Sequence, residues 1–143
     1  MYSSTATARN KFVSDGVGST PSERLVVLLY DRLLRDLDDA AAAIDTAAVG
    51  AAHDALAHAQ DIVAELHSAL DPASWDGADA MGEVYTWLAD LLCRANMKKS
   101  VPLVQEARTI VAPLRDTWAE ACRALQANPH AGAATAGGLD VAG

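Results

Sequence analysis

The segment TPSERLVVLLYDRLLRDLDDAAAAI, Thr20 to Ile44, decides the fold. It opens with a helix start. Thr20 can cap with its hydroxyl, Pro21 suits the first helical position, and Glu23 stands where a capping-box carboxylate reaches back. Leu25, Leu29, Leu33, Leu37, Ala40 and Ile44 then recur at spacings of three and four, which predicts a first helix over about 21–48. At about 100° per residue, Val26, Tyr30, Leu34 and Leu37 widen this stripe to an arc of roughly 200°, about twice what one core-facing stripe requires. Arg24, Asp31, Arg35, Asp38 and Asp39 crowd the remaining sector. Such a helix is either packed on two sides inside a bundle, or packed on one side with the other offered to a partner.

The rest of the chain repeats the helical period. Ala52, Leu56, Ala59, Val63, Leu66 and Leu70, with Ile62 beside them, predict a second helix over about 51–70. Val49-Gly50 reads as the break before it. Met81, Val84, Tyr85, Leu88, Leu91, Leu92 and Ala95 predict a third over 78–98. Leu103, Val104, Ala107, Ile110, Val111, Leu114, Trp118, Cys122 and Leu125 predict a fourth over 101–126, with Ser100 as its cap and a kink at Pro113. Runs of β-branched residues at period two are absent, so strands are not supported. Four amphipathic helices with short connections predict an all-α fold, an antiparallel four-helix bundle. Folding the chain about residue 50 pairs Leu37 with Ile62 and Leu33 with Leu66. The bundle takes residues 20–126. Residues 1–19 read as a mobile N-terminal arm anchored by Phe12, and 127–143, rich in Ala and Gly, as a disordered tail.

Composition narrows the function. Hydrophobic residues make up 51% of the 143, but much of that is alanine, and aromatics are only 5%. This favours close helix packing through small side chains. A net charge of −8 leaves no electrostatic footprint for nucleic acid. No apolar run approaches the ~20 residues that span a bilayer, and the first residues lack the apolar core of a signal peptide. The expected compartment is the cytoplasm, without membrane insertion.

Chemistry is not evident. His53 and His67 share a face of the second helix but stand ~20 Å apart along its axis, and His58 points elsewhere, so no metal site is expected. Glu-x-x-His is missing at every Glu. Asp31, Asp36, Asp38 and Asp39 read as a solvated face. Cys93 and Cys122 fall ~24 Å apart in the folded register, beyond disulfide reach. No enzyme activity and no cofactor are expected.

The order of short motifs resembles one family, the flagellar secretion chaperone FliS. Its helix opening, Thr/Ser-x-x-x-x-Leu followed by Leu-Tyr-Asp, is matched by Thr20 to Leu25 and Leu29-Tyr30-Asp31. Glu65-Leu66 to Leu70-Asp71, Gly77, Val84-Tyr85, Ala95-Asn96 and Leu114-Arg115-Asp116-Thr117-Trp118 follow in family order, with Met1-Tyr2 and Phe12 ahead of them. There are departures. Phe12 stands for a usual tyrosine, Asp76-Gly77 for Gly-Gly, and Pro113 and the Ala/Gly tail are additions.

The resemblance implies a chaperone for the disordered C-terminal region of flagellin. It keeps flagellin from polymerising and delivers it to the flagellar type III export apparatus, docking on the export gate protein FlhA. The arm with Phe12 is then expected to serve gate contact and to cover the client surface. Val26, Tyr30, Leu34 and Leu37 are expected to supply flagellin-binding surface by helix-in-groove recognition. An apolar face of this kind also permits weak self-association. The competing reading is an alanine-rich Trp-x-Gly protein of ESX (type VII) secretion, suggested by Trp75-Asp76-Gly77. That group has a single hairpin and a Tyr-x-x-x-Asp/Glu signal, which Tyr30 and Tyr85 do not begin.

Overall fold

The computed structural model describes residues 21–71, 73 and 76–127. The arm with Phe12, Thr20, Trp75 and the tail beyond 127 lie outside the described residues. Four helices account for nearly all of the rest: α1 Pro21–Asp45, α2 Val49–Ser68, α3 Ala78–Lys98 and α4 Val101–Ala127. The fold is all-α, and no strand occurs among the described residues.

Leu29–Leu114 form one compact unit; of the remaining described residues, 21–28 and 115–127 belong to a second. Within Leu29–Leu114 the helical segments form an antiparallel bundle. The direction of packing is read from side chains. His53 meets Asn96, and His67, fourteen positions later, lies over Gly82, so α2 and α3 run in opposite directions. Each helix buries the stripe its period predicts. Leu56, Ala59, Ile62, Val63 and Leu66 of α2 face Tyr85, Leu88, Leu91, Leu92 and Ala95 of α3 and Val104, Ala107 and Val111 of α4 in one core.

The turns explain where the sequence reading of the ends was off. The first helix ends at Asp45, not 48, and α2 begins at Val49 and takes Gly50 into its first turn. Ala47 adopts the left-handed conformation, φ 57°. Around it Ala48 N–H donates to Ala43 O at 2.8 Å and Ala47 N–H to Ile44 O at 3.0 Å. This is the bond pair of a Schellman stop, built on alanine where glycine is usual. With no glycine at the stop, the helix end carried no compositional mark. The α3–α4 turn repeats the device: Lys99 has φ 49°, and Ser100 N–H donates to Ala95 O at 3.2 Å. Ser100 caps α4 as expected, its Oγ accepting from Leu103 N–H at 3.3 Å. Between α2 and α3, Asp71 Oδ1 accepts from Ala73 N–H at 3.0 Å and tightens the turn.

α4 continues through Pro113 as helix. Proline there cannot donate to the Thr109 carbonyl, and its exposed position puts that gap at the water-facing side.

Candidate binding surface

Within Leu29–Leu114, α1 is closed on three sides. Tyr30 Oη and Tyr85 Oη of α3 share a hydrogen bond at 2.6 Å. Asp36 meets His58 of α2, and Arg108 of α4 donates to Asp38 at 2.8 Å. Most of the apolar arc of this part of the helix is covered, with Leu33 and Ala40 fully buried. Tyr30 and Leu37 are 0% exposed and offer no atoms to a partner in this conformation. Leu34, at the edge of the arc, is half-buried and keeps part of its surface.

Burial pushes the Tyr85 phenol up from its ordinary value, and the Tyr30 hydrogen bond draws it partly back. The two buried hydroxyls satisfy one another, one donating and the other accepting. The His67 ring lies 6.0 Å from the Tyr85 ring, tilted by 47°.

Asp36 departs from the expected solvated run, being 2% exposed. Its two oxygens are taken by Arg32 Nε at 3.3 Å and by His58 Nδ1. A buried carboxylate needs such partners to offset its lost hydration. The three histidines of α2 therefore serve three different neighbours, Asn96, Asp36 and Tyr85. Among the described residues no three His, Cys, Asp or Glu side chains converge as a metal site.

The outer side of α3 carries a feature that the periodicity did not flag. A groove of about 680 Å³, open to solvent, runs between the C-terminal end of α2 and α3. His67, Leu70 and Gly82 line it together with the exposed side chains of Asp79, Glu83 and Trp87. Trp87 is 40% exposed. Gly82 contributes no side chain to the groove; a Cβ there would meet His67 Nε2 at 3.5 Å and Leu70 Cδ1 at 3.8 Å, ordinary contact distances. The available signal was a tryptophan off the apolar stripe, set among acids.

In the unit of 21–28 and 115–127, Val26 is half-buried and Leu28 is 50% exposed. Glu23 Oε2 is buried with no hydrogen-bond partner among the described residues, and desolvation raises the Glu23 carboxyl above its ordinary value. Burial also raises the Cys122 thiol; Glu23 adds to this and Arg24 opposes it. Both cysteines are free thiols, with Cys93 exposed.

The family model for "Flagellar protein FliS" matches residues 5–125. The chain belongs to the FliS family. The flagellar secretion chaperone FliS of Bacillus subtilis (strain 168) is 29% identical over 112 residues, covering 78% of this chain and 83% of that protein. Membership puts the chain in the class of flagellar secretion chaperones, and the ESX reading gives way to this match and to four helices in place of one hairpin.

With the family in hand, its motif residues acquire structural roles. Tyr30 and Tyr85, which entered the resemblance from separate motifs, are the two ends of one buried hydrogen bond. Asn96 holds the α3 stop: its backbone oxygen and its Oδ1 each accept from Lys99 Nζ at 2.6 Å. Those FliS motifs report the bundle's construction.

Proposed function

We infer that this chain binds the disordered C-terminal segment of flagellin, holds it apart from other flagellin in the cytoplasm, and presents it to the export apparatus through FlhA. Membership in the FliS family carries this reading. The half-buried edges of α1 support it in detail. Val26 and Leu34 keep apolar surface that a client helix can cover, and a client that folds on binding needs such surface to offset its ordering entropy. Tyr30 and Leu37 act from beneath, fixing the backbone that carries those edges. The arm with Phe12 is assigned to the gate contact. The charge of −8 argues against nucleic acid as a partner, and no described helix is long and apolar enough to cross a membrane.

Titration calorimetry against a peptide spanning the last helical segment of flagellin from the same organism tests the reading. One-to-one binding with a negative heat-capacity change is expected. Leu34→Glu should weaken it at least tenfold while the circular dichroism stays helical. No heat at several temperatures from the folded protein would overturn the client assignment. Unchanged affinity in Leu34→Glu would remove α1 from the site.

A further inference from the structure

We propose that the groove between the C-terminal end of α2 and the outer face of α3 is a second docking site, for an amphipathic helix of a partner protein whose polar flanks carry Lys or Arg. The proposal does not depend on the client of α1. It begins from the layout of α3. Asp79, Glu83 and Trp87 follow one another at intervals of four and form a ridge about 12 Å long at 1.5 Å per residue. Gly82 interrupts the neighbouring row and adds no side chain beside His67 and Leu70. Ridges at this spacing with a gap beside them are what a further helix packs into.

Charge selects the occupant. Asp90 is paired with Arg94 at 3.0 Å, whereas Asp79 and Glu83 have no ion pair among the described residues. Like charges four apart repel along a helix, and a cation placed between them relieves this. The exposed Trp87 face next to them attracts a guanidinium or ammonium as well as apolar side chains. Glycine inside a helix lowers its stability relative to alanine. Its effect at 82 is to add no side chain to the groove.

The test uses the full chain, labelled with ¹⁵N, and a synthetic helical peptide of leucine, alanine and lysine, with a twin carrying glutamate at each lysine. Saturable one-to-one shifts of the Trp87 indole N–H and the Gly82 amide are expected with the lysine peptide and not with its twin. Asp79→Asn with Glu83→Gln should weaken binding at least tenfold, and Gly82→Phe should block it. Asp54→Asn with Asp61→Asn, which removes the same charge from exposed positions of α2 outside the groove, should leave it intact. Equal weakening by that control pair, equal binding of the glutamate twin, or no shift at Trp87 overturns the proposal. So does a Trp87 shift that follows protein concentration alone, which would assign the groove to a second copy.

Discussion

Tyr85 and Trp87 stand two residues apart on α3 and belong to different worlds. Tyr85 is 3% exposed, its hydroxyl spent on Tyr30. Trp87 lies on the far side, 40% exposed in a groove lined in part by carboxylates. Two residues rotate a helix by about 200°, which is enough to separate a group that holds the bundle together from one that is available to something else. The inner face should govern stability and the outer face recognition.

The sharpest break of that contrast is at Leu88, fully buried beside Tyr85. Leu88→Ala should cost about 2–5 kcal/mol in urea unfolding, through lost transfer energy and the cavity left behind. A cost below about 1 kcal/mol would mean that the inner face is loosely packed. Next comes the tyrosine pair. Tyr85→Phe removes the buried hydrogen bond to Tyr30 and should cost about 1–3 kcal/mol. Adding Tyr30→Phe should recover part of that loss, because neither hydroxyl then needs satisfying. Strict additivity in this double-mutant cycle would sink the claim that the two act as a unit.

The same pair gives a pH signature. The Tyr85 pKa is raised above the ordinary 10.0, so the folded protein holds this proton more tightly than the unfolded chain does. Its contribution is complete below about pH 10 and is lost as pH rises through the folded value. Stability should therefore fall on the alkaline side, and Tyr85→Phe should flatten that limb in unfolding curves taken from pH 8 to 11. The smallest effect belongs to the outer face. Trp87→Ser should move stability by no more than about 0.5 kcal/mol, and a larger loss would mark Trp87 as a packing residue.

The helical stripes were legible because period alone places Leu56, Leu66, Leu88 and Val111 in a core. What period cannot show is how many neighbours close on one helix. The arc of α1 read as two-sided packing or as a client surface, and period alone does not place the neighbours that bury Tyr30 and Leu37. Asp36 was illegible for the same reason. Its partner His58 is 22 residues away, and nothing in the acidic run marks the one carboxylate that turns inward. The end of α1 was misplaced because its stop uses Ala47, whose left-handed backbone has no signature in the sequence as glycine would. The family resemblance succeeded where local patterns failed, since it rests on the order of many weak motifs. Its strongest residues, Tyr30 and Tyr85, nonetheless describe the inside of the molecule.

The hydrogen bond between Tyr30 and Tyr85 also makes the bundle its own gauge. Shielded from water, a hydroxyl proton of this kind exchanges slowly enough to be followed as a resonance of its own. Its chemical shift depends steeply on the oxygen–oxygen separation, and that separation is the spacing of α1 and α3. Anything that settles on an edge of α1 and presses the helix inward, or draws it out by a fraction of an ångström, should be readable from within, without a label on either partner.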